Sequence, residues 1–155
     1  MAKLSVSGLD DLMLSLQEVA EIPDAVQDEM LNAGADILIP EIKARGEGYG
    51  VEDTGLTLKS LAKSKVKKNQ KIGRYLTVYF KGSRVRGKDP KTGKNLRIKN
   101  SEIAFLNEYG NRMSEYGTQK HPARPFFGDA LKLSEKTIAK AQEAIYDKWL
   151  KSKKL

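Results

Sequence analysis

The chain of 155 residues contains no cysteine and a single histidine, His121. Without cysteine it can form no disulfide and offers no thiolate nucleophile or thiolate ligand for zinc or an iron–sulfur cluster. The sequence also lacks the His-Glu-x-x-His pattern of zinc proteases and the Gly-x-Ser-x-Gly turn of serine hydrolases. We therefore expect a non-enzymatic protein without catalytic, cofactor-binding or metal-binding residues, in which His121 is an ordinary loop residue.

Long apolar runs are also missing. No segment approaches the 18 or more apolar residues of a membrane span, and the opening "MAKLSVSGLD" lacks the apolar centre of a signal peptide. We therefore expect a soluble protein that is made in a cytoplasm and does not enter a membrane. The length suits one domain over residues 1–155, burying roughly 70% of the surface of the unfolded chain.

Two glycine-rich stretches fall short of a phosphate-binding loop. In "GKDPKTGKN", five residues separate Gly87 from Gly93 instead of four, and Asn95 stands where a P-loop has Ser or Thr. In "GEGYG" at 46–50, a simple turn accounts for the glycines. Neither stretch predicts a nucleotide site.

Positive charge is concentrated in one part of the sequence. The segment from Lys59 to Lys99 holds fifteen Lys or Arg residues and one acid, Asp89, so it carries +14 while the rest of the chain carries −6. Such a segment attracts phosphate backbones or an acidic protein surface. The alternative is a solvated face that only keeps the protein soluble. Within a basic excursion at 81–99, the candidate contacts are Lys81, Arg84, Arg86, Lys88, Lys91, Lys94, Arg97 and Lys99.

Apolar periodicity predicts three long or medium helices. The first covers about 8–20, and the second follows Pro23 towards Arg45, with Pro40 expected to kink or divide it. The last runs from Pro125 to about Ser152. Its apolar stripe consists of Phe127, Leu131, Ile138, Ala141, Ile145 and Trp149.

The middle of the chain changes to strand periodicity. "RYLTVYF" at 74–80 alternates as a strand does, and a turn at "KNQKIG" joins it to a preceding strand near 61–68. The excursion returns on a short strand at 96–99. A short helix capped by Asp53 or Thr54 precedes this region, and a helix capped by Ser101 and stopped by Gly110 follows it. The predicted fold is α+β: a small antiparallel sheet packed against helices, a long C-terminal amphipathic helix, and an extended basic loop or hairpin.

The stretch "HPARPFF" at 121–127 predicts a joint before the last helix. Pro122 and Pro125 hold the approach extended, and Pro125 suits the first helical position. Neighbouring phenylalanines on a helix point in different directions, so one ring can enter the core. The other, with Arg124, then faces a partner or covers the preceding loop; packing of both rings inside the monomer is the alternative.

Four stretches occur in the order seen in a known family: "SGLDDLMLSL", "DTGLTLKSL", "IAFLNEYGN" and "HPARPFFGDAL". Together they span nearly the whole chain. The sequence resembles the tail-completion, or head-to-tail joining, proteins of tailed bacteriophages and prophages, the gene-product-ten-like family. Two features depart from the family pattern. Thr57 stands where the family tends to have Leu, and the Glu-aromatic-Gly motif fits both 108–110 and 115–117. The first copy follows the apolar "IAFLN", so we favour it and interpret 111–120 as an inserted loop.

The resemblance implies a structural virion protein of the phage neck, assembled in the host cytoplasm as a homo-oligomeric ring, commonly six-fold. Its partners would be the head connector or adaptor protein and the tail tube protein, and the basic excursion would meet either DNA in the channel or an acidic face of the adjoining ring. Candidate contacts with other subunits or partners are Glu108, Tyr109, Gly110, Arg124, Pro125, Phe126 and Phe127. The runner-up is a stand-alone basic nucleic-acid-binding module, although the basic segment has only three aromatic residues, Tyr75, Tyr79 and Phe80.

Overall fold

A computed structural model describes residues 22–51, 56–110 and 122–153. The predicted helix at 8–20, the caps Asp53 and Thr54, the loop at 111–120 and His121 lie outside these ranges. The described residues form helices and three pairs of short antiparallel strands, which confirms the α+β prediction. The elements in chain order are α1 (Asp24–Gly48), α2 (Leu56–Lys59), β1 (Leu61–Lys63), β2 (Lys67–Asn69), β3 (Gly73–Tyr75), β4 (Val78–Phe80), β5 (Ser83–Lys88), β6 (Asn95–Lys99), α3 (Asn100–Tyr109) and α4 (Phe126–Ser152).

The two long helices α1 and α4 pack against each other in antiparallel directions. The side chain of Gln142 donates to the Met30 carbonyl at 3.2 Å, and the hydroxyl of Tyr49 donates to the carboxylate of Asp129. Helix α1 is continuous through Pro40, so the predicted division does not occur. Pro40 lies on the exposed side of the helix, where water can solvate the carbonyl that loses its N–H partner.

The buried stripe of α4 starts one residue earlier than its apolar residues suggest. Phe126, Ala130 and Ser134 are buried, whereas Leu131 is 44% exposed. The Ser134 hydroxyl donates to the Ala130 carbonyl at 2.6 Å, so this polar side chain can be buried with its hydrogen bond satisfied. Because Ser134 does not count as apolar, the sequence pattern shifted the predicted stripe towards Phe127 and Leu131.

The strands at 61–80 form one interrupted hairpin. Strand β1 pairs with β4, and β2 pairs with β3 beyond a break where the Ser64 N–H donates to the Thr77 carbonyl at 2.8 Å. The predicted hairpin is therefore confirmed, but the predicted strand at 74–80 is split in two. After strands β5 and β6 the chain enters α3. This helix begins at Asn100 with Lys99 at the cap position, so the predicted Ser101 cap is wrong.

Acidic residues of α1 hold the interrupted hairpin. The Arg74 guanidinium binds both oxygens of Asp28 at 2.6 and 2.7 Å and one oxygen of Asp24 at 2.9 Å. Lys63 forms a further ion pair with Asp36 at 2.6 Å. These contacts neutralise part of the positive charge of the basic segment within the chain itself.

The core lies where α1, α2, β1, α3 and the start of α4 meet. Its buried apolar residues are Ile42, Val51, Leu58, Leu61, Ala104, Phe126 and Ala130. Gly46 allows α2 to approach α1 closely, since a Cβ at this position would lie 2.4 Å from Cδ2 of the buried Leu58. A larger residue would force Leu58 out of its place in the core.

We expect Gly46→Ala to lower the free energy of unfolding by about 1–3 kcal/mol, because overpacking displaces Leu58. Gly48 is a matched control in the last turn of α1, since a Cβ there meets nothing within 4 Å. Gly48→Ala should be neutral or stabilising by up to about 1 kcal/mol, through its higher helix propensity. Urea unfolding of both variants measures the difference. Equal stabilities would contradict the close approach of Leu58 to Gly46.

Candidate interaction surfaces

Helix α3 holds the beginning of α4. The carboxylate of Glu108 accepts hydrogen bonds from the N–H groups of Phe127 at 2.8 Å and Gly128 at 2.9 Å. These N–H groups belong to the first turn of α4, where no helical carbonyl is available and where negative charge is favourable. Gly128 leaves room for this contact, since a Cβ there would lie 3.0 Å from Oε1 of Glu108. The Asn107 carbonyl accepts a further bond from the Arg124 N–H at 2.7 Å.

The residues before α4 are also used within the chain. The Arg124 guanidinium donates to the Gly50 carbonyl at 2.6 Å, which ties the approach of α4 to the end of α1. Phe126 is fully buried, with its ring centroid 6.2 Å from that of Phe80. The half-buried Phe127 lies 6.5 Å from the same ring. Both phenylalanines therefore pack on β4, and Pro125 remains exposed at the position before the first helical residue.

Replacing Glu108 by Ala should lower the free energy of unfolding by about 1–2 kcal/mol, the usual cost of losing the group that caps a helix start. Glu143→Ala removes the same charge from an exposed position of α4 and should change stability by less than about 0.5 kcal/mol. Thermal or denaturant unfolding of the two variants makes the comparison. A loss no larger for Glu108 than for Glu143 would show that the carboxylate does not hold α4.

The second half of α3 exposes large apolar side chains to solvent. Phe105 and Tyr109 are each 61% exposed, and Leu106 is 40% exposed, whereas the polar Asn107 and Glu108 are half-buried against the rest of the chain. The rings of Phe105 and Tyr109 lie 4.7 Å apart. We call Phe105, Leu106 and Tyr109 the α3 ridge. Three large apolar side chains exposed side by side on one helix offer a surface for another molecule.

The α3 ridge separates two open clefts. One, of about 340 Å³, lies between α3 and α4 and is lined by Phe80, Phe105, Tyr109, Phe127 and Leu131, among others. The other cleft, of about 550 Å³, lies between α3 and the strand pair β5–β6. Its lining comprises Arg86, Ile98, Ser101, Glu102, Phe105 and Leu106. Phe105 lines both clefts, so the three features form one continuous surface.

Strands β5 and β6 form a second hairpin, which we call the basic hairpin (residues 83–99). This confirms the predicted basic hairpin, although β6 begins at Asn95, one residue before the predicted 96. The register changes between Val85 and Gly87, so Arg86 is the bulge residue. Residues paired across two antiparallel strands share a face. The outer face carries Ser83, Val85, Lys88, Asn95, Arg97 and Lys99, all exposed, and the other face carries Arg84, Gly87, Leu96 and Ile98.

The predicted set of basic contacts divides into one inward residue and seven exposed ones. Arg84 donates a hydrogen bond to the hydroxyl of Thr57, which is fully buried in α2. Arg84 and Thr57 therefore join the basic hairpin to the core. The seven exposed residues are Lys81, Arg86, Lys88, Lys91, Lys94, Arg97 and Lys99. At the hairpin tip, hydrogen bonds from the Lys91 N–H and from Thr92 lower the pKa of Asp89 below its ordinary value.

We expect Arg84→Glu to lower the free energy of unfolding by about 1–3 kcal/mol, because it removes a charged hydrogen bond to a buried hydroxyl. Arg86→Glu makes the same charge change two residues away at an exposed bulge and should stay within about 0.5 kcal/mol of the parent protein. Guanidinium unfolding monitored by circular dichroism distinguishes them. Equal destabilisation would mean that Arg84 has no anchoring role.

The fold brings two of the predicted motifs together and leaves the third apart. Glu108 to Gly110 and Arg124 to Phe127 meet at the start of α4, while the basic hairpin contacts α3 through its strand β6. Sequence reasoning missed Phe105, Leu106 and Leu131 as surface residues. The four-residue spacing of Phe105 and Tyr109 signals that they share a helix face, but not that this face points to solvent.

Within residues 22–51, 56–110 and 122–153, no group of three or more acidic, histidine or cysteine side chains is arranged to hold a metal ion. No helix in the same ranges is both long and apolar enough to span a bilayer. The chain matches none of the protein-family models, curated proteins or solved structures with which it was compared.

Proposed function

We propose that this protein is a non-enzymatic subunit of a phage neck, which assembles as a ring, completes the tail and joins it to the head connector. The observation that carries the proposal is the exposed α3 ridge. Its three large apolar side chains, Phe105, Leu106 and Tyr109, are 40–61% exposed and lie side by side on one helix. The order of the four sequence stretches supports the assignment of the protein to the phage neck. The α3 ridge supports the assembly of its subunits into a ring.

The α3 ridge has the composition of a protein interface. Aromatic residues are enriched at the energetically important centres of such interfaces. A Phe or Tyr side chain offers about 150–250 Å² for burial, so two rings that are each 61% exposed leave roughly 200–300 Å² of aromatic surface in water. Leu106 and Leu131 extend this area on both sides. Burial against another subunit would remove it from water.

In a ring closed by rotation each subunit contacts its neighbours, and a neck subunit needs a further surface for the protein or DNA that it meets outside the ring. The apolar α3 ridge and the basic hairpin differ in charge and shape and lie on adjoining parts of the molecule. This arrangement supports a subunit that contacts its neighbours with one surface and a different partner with the other. The tail tube protein and the head connector or adaptor are the partners that the sequence resemblance implies.

The basic hairpin favours a second candidate function, a stand-alone nucleic-acid-binding module. Such a module would act as a monomer and would have no use for an exposed α3 ridge. Self-association therefore separates the two functions better than nucleic-acid affinity does, because a neck subunit can also contact DNA.

Replacing Phe105 and Tyr109 by Ser should abolish self-association while leaving the fold intact, because both side chains are largely exposed. The mass of the purified protein is measured by light scattering with and without tail tube protein, and rings are sought by negative-stain microscopy. The matched control replaces Ile72 and Leu133 by Ser, which are 67% and 54% exposed and line none of the described clefts around α3. Melting curves verify folding of both variants.

In complementation, the ratio of joined virions to free heads and tails should fall for the Phe105/Tyr109 variant and stay normal for the control. A parent protein that remains monomeric in every mixture would overturn the ring. Normal joining by the folded Phe105/Tyr109 variant would show that the α3 ridge is not the assembly surface.

A further inference from the structure

We infer that the outer face of the basic hairpin binds the phosphate backbone of double-stranded DNA without reading its sequence. The inference deepens the proposed function. It rests on that function only for the source of the duplex, which would be the phage genome passing through the ring. The binding chemistry rests on the hairpin itself.

The first observation concerns the pairing of the exposed cations with the acids that the structure describes. Among the residues that the structure describes, none of the seven exposed Lys and Arg side chains at 81–99 forms an ion pair. The single acid of the hairpin, Asp89, is occupied in the turn by the Lys91 N–H at 2.8 Å. The hairpin therefore presents a concentrated positive field to a partner.

A second copy of the chain offers few unoccupied acids on α1 to match this field. Three aspartates of α1 already bind cations of the interrupted hairpin, and Glu41 pairs with Arg45 at 2.9 Å on the same helix. The acids of α1 thus hold the interrupted hairpin, whereas none of the described acids forms an ion pair with the exposed cations of the basic hairpin. The interrupted hairpin and the basic hairpin are both rich in Lys and Arg, but they differ in whether described acids pair with these side chains.

The composition of the outer face indicates which polyanion fits. Its six residues include no aromatic side chain, and Val85 is the only apolar one. Binding of single-stranded nucleic acid uses aromatic platforms for base stacking, and protein interfaces concentrate aromatic and apolar residues at their centres. Polar and basic side chains without these features suit the sugar–phosphate backbone of a duplex.

The geometry of the hairpin agrees with this assignment. Strand β5 has six residues, so the ribbon is about 20 Å long and can lie along about six phosphates of one DNA strand, which are spaced by about 3.4 Å. Lys88, Arg97 and Lys99 lie on the same face. The Arg97 Nε donates to the Ser83 hydroxyl at 3.1 Å, which orients the guanidinium and leaves its two terminal nitrogens for phosphate oxygens.

The test measures binding of the full chain to a fluorescent random-sequence duplex of 25 base pairs by anisotropy, across a range of salt concentrations. The variant carries Lys88→Ala, Arg97→Ala and Lys99→Ala. The matched control carries Lys132→Ala, Lys136→Ala and Lys140→Ala, which remove the same charge from exposed positions of α4. Each lost phosphate contact reduces the slope of log affinity against log salt by about 0.9, so the hairpin variant should lose about 2.7 of slope. We expect its affinity at low salt to fall by about tenfold or more.

Three results would overturn the inference. The parent protein could fail to bind the duplex at low salt, the control could lose as much affinity and slope as the hairpin variant, or single-stranded DNA or polyglutamate could bind as tightly as the duplex. The last result would assign the hairpin to single strands or to an acidic protein. A melting curve and the unchanged oligomer mass of the hairpin variant show that it is folded.

These outcomes differ from failure of the neck proposal. If the duplex does not bind but the ring forms and joins particles, only the assignment of the hairpin is lost. If the duplex binds through the hairpin but no ring forms, the neck proposal is lost and the hairpin assignment remains.

Discussion

The carboxylate of Glu108 makes the contact on which the rest of the described surface depends. By accepting the N–H groups of Phe127 and Gly128, it fixes the start of α4 against α3. With Glu108 turned towards α4 and Ala104 buried, Phe105, Leu106 and Tyr109 are left on the solvent side of α3. The same contact sets Phe126 into the core beside Phe80. One capping interaction thus couples the stability of the fold to the exposure of its apolar ridge.

The distribution of charge gives the two hairpins different roles. Arg74 and Lys63 bind aspartates of α1, so the interrupted hairpin becomes part of the body of the protein. In the basic hairpin, Arg84 points inward instead and donates a hydrogen bond to the hydroxyl of Thr57. A run of basic residues that looks uniform in the sequence therefore contains anchors at some positions and solvent-exposed cations at others. The exposed set is the part that we assign to a partner.

The sequence predicts the regular elements well and the long-range contacts poorly. The α4 helix follows from its three-to-four-residue apolar spacing, and the basic hairpin follows from the turn signal "DPKTG" between two strands. The exact face of α4 does not follow, because burial of Ser134 depends on a hydrogen bond that composition does not reveal.

The contacts around the start of α4 and the basic hairpin could not be predicted from the sequence for the same reason. Glu108 and the Phe pair could be selected as motifs, but their contact spans about twenty residues of sequence and depends on how α3 packs. Nothing in the local pattern distinguishes Arg84, which bonds to a buried hydroxyl, from the exposed Arg86. The contact of Thr57 with Arg84 likewise joins residues that lie 27 positions apart in the sequence. Sequence spacing identifies which residues share a face, whereas tertiary packing decides whether that face points inward or outward.

The absence of cysteine allows a direct measurement of the central claim, that the α3 ridge is covered when the protein assembles. Ser101→Cys places one thiol in both clefts beside the ridge, and Thr137→Cys places one on an exposed face of α4 as a control. Maleimide labelling rates are compared between dissociated subunits and the assembled ring. We expect assembly to slow labelling at position 101 by about tenfold or more and to leave labelling at position 137 unchanged. Equal labelling of position 101 in both states would contradict it.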